Sequence, residues 1–242
     1  MEGISYNRNE ASRITDDIGI AVGNVNDYML EEYIHLKQTF QDNWVGPDEV
    51  AFMNKYLVAL KDVFQNVMTV GETMSNFVVE AALTMVNFQN QVSSELEGSI
   101  SISQEIENKF ANSGKKMDFL DYCEIQSMDF DPSQQLGLVT ANSETVLVEA
   151  LDTYTTGVQT KIKESIGAVE VGNAFVSSEN ANMGIKAFID NVAESMQNLT
   201  KIVDSFKNET IPQLVAAFKS QSSQISDDSS NAASNIGSQI NG

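Results

Sequence analysis

The sequence has little that could carry covalent or metal chemistry. Its 242 residues include one cysteine, Cys123, and one histidine, His35. A single thiol cannot close an internal disulfide or form a thiolate zinc cage, and a single histidine leaves no His/Cys metal cluster. We therefore expect no enzyme, no cofactor and no metal site. His35 is interpreted as a residue of a helix surface and Cys123 as an inert thiol.

Positive charge and long apolar runs are also scarce. Fourteen Lys and Arg residues face 34 Asp and Glu, which leaves a net charge of −20. Such a charge repels phosphate backbones and anionic lipid, so nucleic acid is not an expected partner. No apolar run approaches the roughly 18 residues of a membrane span. The polar residues 1–13 do not have the layout of a secretory signal peptide.

The acidic stretch near the middle of the chain invites a calcium hypothesis, which its spacing does not support. An EF-hand loop that begins at Asp129 would need glycine at its sixth position and glutamate at its twelfth. Those positions hold Gln134 and Thr140. The sequence therefore predicts no calcium loop here.

Only three prolines occur, and the apolar spacing is that of long helices. The first stripe consists of Ile14, Ile18, Val22, Val25, Met29, Tyr33, Leu36 and Phe40. The second follows gaps of four and three through Met53, Leu57, Leu60, Phe64, Val67, Gly71, Met74, Val78, Ala81, Met85, Phe88 and Val92. A strict 4-3 repeat predicts a narrow seam packed on other helices.

A turn separates these two stripes. Gly46 precedes Pro47 and is pushed out of the α region, so the first helix must end there. Pro47 suits the first position of the next helix, and Asp48 and Glu49 place negative charge at its positive end. We expect Trp44 to pack against both helix ends and to find a hydrogen-bond partner for its indole N–H. The segment predicts an antiparallel helical hairpin.

The second half repeats this plan in weaker form. A third stripe consists of Leu147, Leu151, Tyr154, Val158, Ile162, Ile166 and Val169, and a fourth of Ile185, Ile189, Val192, Met196, Leu199, Val203 and Phe206. A shift of 132 residues superposes Met53 on Ile185 and Phe64 on Met196, which indicates an internal duplication. The predicted fold is all-α, an antiparallel four-helix bundle of two tandem hairpins. Its expected hairpin-interface core comprises Leu57, Leu60, Phe64, Val67, Ile189, Met196 and Leu199.

Four segments follow from this pattern. Residues 1–97 form the first hairpin, and residues 98–135 a partly helical linker. Residues 136–219 form the second hairpin, in which Pro212 is expected to kink or end the last helix. Residues 220–242, rich in Ser and Asn, are predicted to be a disordered tail.

Trp44-Val45-Gly46, set in the bend between two amphipathic helices and followed by Pro47 and Phe52, resembles the turn of the WXG family. These are the early-secreted-antigen-like proteins exported by type VII secretion systems. The resemblance covers about residues 10–96, and the second half matches in layout only, because Phe175-Val176-Ser177 replaces the motif. It implies a fused version of the family's four-helix dimers.

The resemblance also implies a function. The chain would be a leaderless, non-enzymatic protein, folded in the cytoplasm and exported, or an adaptor or chaperone of that system. Its partner would be the secretion-system membrane ATPase or a co-secreted helical protein, with Trp44, Val45 and Gly46 as the recognition turn. It would be a monomer with intrachain pairing or a swapped homodimer.

The sequence departs from the family at one place and leaves alternatives open. The family's Tyr-x-x-x-Asp/Glu signal follows the last helix, whereas no tyrosine follows Tyr154. That spacing occurs only early, at Tyr6…Glu10 and Tyr28…Glu32. A cytoplasmic helical scaffold, or a neutralising partner of a basic protein, also fits the negative charge. A pore-forming protein ranks last, since no apolar hairpin of 15 to 20 residues is present.

Overall fold

The computed structural model describes residues 8–95, 105–112, 118–122, 137–139, 142–169 and 179–240, and these residues are almost entirely helical. The all-α prediction is therefore confirmed. The long helices are α1 (Arg8–Asn43), α2 (Pro47–Glu95), α5 (Ser143–Gly167), α6 (Glu179–Ser205) and α7 (Ile211–Ile240). The short helices α3 (Lys109–Asn112) and α4 (Asp118–Tyr122) lie between α2 and α5 in the chain.

One two-residue ladder interrupts the helices. Strand β1 (Trp44–Val45) pairs antiparallel with β2 (Leu138–Val139), with Trp44 opposite Val139 and Val45 opposite Leu138. The sequence did not predict this pairing. The first strand directly follows the end of α1 at Asn43, and its partner lies more than 90 residues further along the chain.

The chain divides into two compact units. The first contains Met1–Glu32, Val58–Glu124 and Thr156–Asn198, and the second contains Tyr33–Leu57, Ile125–Thr155 and Leu199–Gly242. Helices α1, α2, α5 and α6 each contribute part of their length to each unit.

In the first unit, the parts of α1, α2, α5 and α6 that belong to it each bury an apolar face. The predicted stripe positions that are buried here are Ile14, Ile18, Val22, Val25, Met29, Leu60, Phe64, Val67, Met74, Val78, Val158, Ile162, Ile166, Val192 and Met196. Burial of these apolar side chains is the main favourable contribution to the folding free energy of the first unit. The periodicity of the sequence thus identified this core correctly.

The stripe of α2 changes register near its end. The strict 4-3 repeat predicted Ala81, Met85 and Phe88 as core, whereas the structure buries Ala82 and Val86 and leaves Phe88 59% exposed. That prediction is wrong because an α-helix turns every 3.6 residues, and a face that follows its natural period advances beyond a 3.5-residue repeat. Val63 and Val70 are also buried, so the seam is broader than predicted.

Gly71, which interrupts the second stripe, makes room for the linker. A Cβ built on Gly71 would lie 2.8 Å from a methyl of Val22 and 3.0 Å from the ring of Phe110. These distances are shorter than real Cβ contacts allow. The break in the apolar series is therefore a packing requirement of the first unit.

Buried polar side chains hold the linker helices in the first unit. The hydroxyl of Thr15 accepts the Lys109 N–H at 3.0 Å, and Asn26 Oδ1 accepts the Phe119 N–H at 3.0 Å. Asn108 caps α3, since its Oδ1 accepts the Ala111 N–H at 3.1 Å. Such bonds satisfy groups that burial would otherwise leave unpaired.

In the second unit, helices α2 and α5 are joined by buried hydroxyls. Tyr56 donates to Thr155 Oγ1 at 2.7 Å, and Thr155 donates to the Leu151 carbonyl at 2.7 Å. Burial raises the pKa of Tyr56. Predicted stripe residues that are buried in this unit are Tyr33, Leu36, Phe40, Met53, Leu57, Leu147, Leu151, Tyr154, Leu199, Val203 and Phe206.

Pro212 does not end the last helix. A π-helical turn, Phe206–Thr210, joins α6 to α7, and the Ile211 N–H bonds to the Phe206 carbonyl. Pro212 then lies in the first turn of α7, where its missing N–H is tolerated. The wide turn also adds one residue, so Ile211 and Leu214 follow Phe206 onto the buried side.

The structure differs from the predicted disordered tail. Helix α7 runs to Ile240, and the side chains of residues 219–233 are exposed, with Ile225 at 67%. No proline follows Pro212 to interrupt this helix. The predicted degenerate turn at Phe175-Val176-Ser177 and Cys123, Asp129 and Asp131 lie outside the described residues.

We expect Gly71→Val to lower the free energy of unfolding by about 1–3 kcal/mol, because its side chain would overlap Val22 and Phe110. Urea denaturation followed by circular dichroism measures this. The matched control is Gly167→Ala, where a Cβ meets no atom within 4 Å. That variant should be neutral or slightly more stable. Equal effects of the two substitutions would contradict the packing account of Gly71.

Candidate recognition site at the Trp-x-Gly turn

The turn between α1 and α2 is the most specialised part of the described chain. Helix α1 ends at Asn43 and α2 begins at Pro47, as the sequence predicted. The Glu49 N–H bonds back to the Gly46 carbonyl at 3.2 Å and so closes the first turn of α2. The three motif residues lie between the helix ends, with Trp44 1% and Val45 66% exposed.

Aromatic side chains from three segments surround Trp44. Its ring centroid lies 6.3 Å from that of Phe40 on α1, 5.9 Å from that of Phe52 on α2 and 5.9 Å from that of Phe206 in the π-helical turn. Phe52 and Phe206 are themselves 4.5 Å apart. Aromatic pairs at these separations add about 0.5–1.5 kcal/mol each beyond the area they bury. The indole thus connects the end of α1 and the start of α2 to the π-helical turn.

Two glycines allow the chain to approach itself at this turn. A Cβ built on Gly46 would lie 2.4 Å from the Cα of Gly137, and one on Gly137 would lie 2.7 Å from the indole nitrogen of Trp44. Neither position tolerates a side chain without displacement. The sequence assigned Gly46 a role only as the residue before Pro47, whereas the structure shows that it also allows close contact between two backbone segments.

Asp48 links these two segments. Its Oδ2 accepts the Gly137 N–H at 2.8 Å, and its Oδ1 accepts the Glu49 N–H at 3.2 Å. Hydrogen bonds to an ionised acceptor are stronger than neutral ones. The sequence assigned Asp48 only an electrostatic role at the start of α2, whereas the structure shows that it also fixes the segment before β2.

The indole N–H of Trp44 is buried without an acceptor among the described residues. The prediction that it would find a partner is therefore wrong for this part of the chain. A buried, unsatisfied donor costs about 1–3 kcal/mol. Gly137 explains why the indole N–H lacks an acceptor. Its Cα, which cannot accept a hydrogen bond, lies next to the indole nitrogen.

Glu49 is a buried carboxyl in the first turn of α2. Its side chain is 6% exposed. Burial raises its pKa to about 7, while Lys37 opposes this rise and Asp48 adds to it. Its charge state therefore changes near neutral pH, within the segment that carries Trp44.

The other predicted residues are placed as follows. Six of the seven expected core residues are buried: Leu57, Leu60, Phe64, Val67, Met196 and Leu199. The seventh, Ile189, lies on α6, but its side chain is outside the described part. His35 is exposed. A Cβ on Gly157 would overlap the hydroxyl of Tyr28, so Tyr28 packs against α5.

The sequence did not indicate that Gly137 belongs to the site, or that Phe52 and Phe206 are ring partners of Trp44. The only signal for Gly137 was its position between Leu136 and Leu138 in an otherwise polar stretch. Asp48 lies 89 residues from Gly137, and a contact at that separation leaves no mark on local periodicity. Phe206 was recognised as a core residue, but its neighbours were not.

The described residues contain no group of three acidic, histidine or cysteine side chains that could hold a metal ion. Among the helices that the structure describes, none has the length and apolar composition of a membrane span. Comparison with known proteins found no matching family model, no matching curated protein and no matching solved structure.

We expect the stability of the protein to fall as Glu49 ionises. Its pKa in the folded protein, about 7, lies above the ordinary value of 4.5. Its contribution to stability is therefore fully present below about pH 4.5 and is lost as the pH rises through about 7. Glu49→Gln, which stays neutral, should be more stable than the native chain at pH 8 by about 1–3 kcal/mol, and equally stable near pH 4.5.

Urea denaturation of both chains across this pH range measures the difference. Glu80→Gln, which changes an exposed glutamate of α2, is the control. Its free energy of unfolding should stay within about 0.5 kcal/mol of that of the native chain, because the residue is exposed. A Glu49→Gln difference that stays constant between pH 4.5 and 8 would contradict the assignment.

Proposed function

We propose that this chain is a non-enzymatic, WXG-like protein of a type VII secretion system, exported after folding or acting there as adaptor or chaperone. In this proposal α1–α2 and α5–α6 are two hairpins that pair as an antiparallel four-helix bundle, like a fused dimer. The turn Trp44-Val45-Gly46 is its recognition element. The chain folds in the cytoplasm and is then found outside the cell or at its surface.

The observation that carries the proposal is the construction of the turn. Trp44 is buried among aromatic residues of α1, α2 and the π-helical turn, while its neighbour Val45 is 66% exposed. A rigid support beneath an exposed apolar residue is typical of a recognition loop. Had Trp44 lain within a continuous helix, the resemblance would have lost its structural basis.

The division of α1, α2, α5 and α6 between the units supports the fused arrangement. In both units, buried stripes from α1, α2, α5 and α6 occur together. Helices that bury one face need facing helices to cover it, and two hairpins in one chain supply them. A covalent linker raises the effective concentration of the second hairpin to about the millimolar range.

We expect export to require the system's membrane ATPase. In a strain that carries a type VII system, deletion of the ATPase should retain the protein in the cells and remove it from the culture medium. Unchanged levels in the medium would contradict export by this route. Capture of a basic toxin domain by a chain that never leaves the cell would favour the neutralising alternative.

The recognition role of the turn can be tested with a matched pair of variants. Val45→Asp alters the exposed turn, whereas Val58→Asp alters a 45% exposed valine of α2. Both should remain folded, because neither side chain is buried. We expect Val45→Asp to lower the exported fraction at least about tenfold, as for loss of a central apolar contact, and Val58→Asp to leave it unchanged.

A further inference from the structure

The last turns of α2 carry an apolar stripe that the first unit leaves uncovered. The stripe continues the strict 4-3 repeat of this helix through Ala81, Met85, Phe88 and Val92. The structure buries a neighbouring face instead, through Ala82 and Val86, and leaves Phe88 59% exposed and the rest of the stripe partly exposed. Phe88 is the most exposed aromatic side chain of the described residues. This end of α2 therefore has two apolar faces, of which the first unit buries only one.

The helix that carries this stripe extends past its neighbour in the first unit. Helix α2 has 49 residues, whereas α1 has 36. Gly71 lies against Val22, so in an antiparallel pair Arg8, where α1 begins, comes level with Met85. The turns that follow continue α2 beyond the described part of α1. Phe88 lies in these turns, which explains why α1 does not cover it.

Charge distinguishes this surface from the rest of an acidic protein. The chain has a net charge of −20, yet no charged residue lies between Glu80 and Glu95. The positions that flank the stripe include Thr84, Gln89 and Gln91, where coiled coils commonly carry the charges that select a partner. Two copies of the chain repel each other elsewhere, but not at these turns. The uncharged flanks therefore fit a second copy, whereas a basic partner would be drawn to the acidic surfaces.

We propose that the end of α2 in one copy packs antiparallel on the same segment of a second copy, so that the protein is a homodimer. The proposal goes beyond the proposed function and does not rest on it. No helix is exchanged between the copies, which distinguishes this pairing from a swapped homodimer. Because the contact is two-fold symmetric, each pair of facing residues occurs twice.

The antiparallel orientation follows from the order of residues in the stripe. It sets Phe88 against the partner's Met85 and Ala81 against the partner's Val92. A parallel pair would instead set Glu95, which follows Val92 at the spacing of the stripe, against its own copy. Like charges that face each other across a helix pair are destabilising. The stripe is thus self-complementary only in the antiparallel register.

The size of the stripe determines the expected affinity. Four side chains from each copy form a contact smaller than the standard interface of about 1,600 Å². We therefore expect a dissociation constant on the order of 10–100 µM. Salt should strengthen the dimer, because it screens the repulsion between two copies of charge −20 and leaves the apolar contact intact. Dissociation at high salt would contradict an apolar contact between like-charged copies.

Sedimentation equilibrium of the full chain between about 1 µM and 1 mM covers this range of affinity. Phe88→Glu places a carboxylate at the centre of the contact and should weaken association at least about a hundredfold, because the buried charge has no partner. The matched control is Val58→Glu, which adds the same charge to a 45% exposed residue of the same helix outside the stripe. It should associate as the native chain does.

A pair of opposite charges tests the register. Met85→Lys alone should also weaken association, since it faces the partner's Phe88. An equimolar mixture of Met85→Lys and Phe88→Glu should form a mixed dimer, because one of the two contacts between positions 85 and 88 becomes an ion pair and the other stays native. A mixture of Met85→Lys and Val58→Glu should not.

Three results would overturn the proposal. The native chain would stay monomeric up to about 1 mM. Phe88→Glu would associate as tightly as the native chain, as a swapped dimer would. The two opposite-charge variants would fail to associate when mixed, although circular dichroism shows that both keep their helices. If Met85→Lys loses its helices, the comparison of Phe88→Glu with Val58→Glu decides instead.

Discussion

The burial of Trp44 is the interaction on which the turn depends. One indole contacts rings from the end of α1, the start of α2 and the π-helical turn after α6. The π-helical turn lies more than 150 residues beyond the other two segments, and no internal disulfide can join them in a chain with a single cysteine. Packing around one large side chain therefore holds these segments together, as a disulfide does in other small proteins.

The same burial imposes constraints on its neighbours. Gly46 and Gly137 must lack side chains because two backbone segments meet beside the indole, and Asp48 must accept the N–H that this approach presents. The indole N–H is left unsatisfied, and Glu49 is buried in the adjacent turn of α2. Unfavourable polar burial of this kind is typical of functional sites, since the rest of the fold must offset it.

The sequence predicted the parts of the fold that local patterns determine. The stripe of α1 from Ile14 to Phe40 is buried throughout, because a period near 3.6 places those side chains on one face. The end of α1 was also predictable, since Gly46-Pro47 disfavours helix. Near the end of α2 the prediction was wrong because neighbouring positions are both apolar, Ala81 beside Ala82, so hydrophobicity alone did not distinguish two registers.

Contacts between residues far apart in the chain could not be predicted from the sequence. The pairing of β1 with β2 involves two residues from each strand, which is too short for any alternating pattern to appear. The sequence predicted that Pro212 would kink or end the last helix, but it did not indicate the π-helical turn at Phe206–Thr210 that precedes the proline. The ring contacts of Trp44 with Phe206 depend on both features together and so could be seen only in three dimensions.

A double-mutant cycle between Trp44 and Phe206 tests most directly whether the indole fastens the π-helical turn to the hairpin. Urea denaturation of the native chain, Trp44→Leu, Phe206→Leu and the double variant gives the coupling free energy. We expect the summed losses of unfolding free energy in the two single variants to exceed the loss in the double variant by about 1 kcal/mol, as for aromatic side chains in contact. Effects that add to within about 0.3 kcal/mol would show that the two rings act independently and would contradict this account.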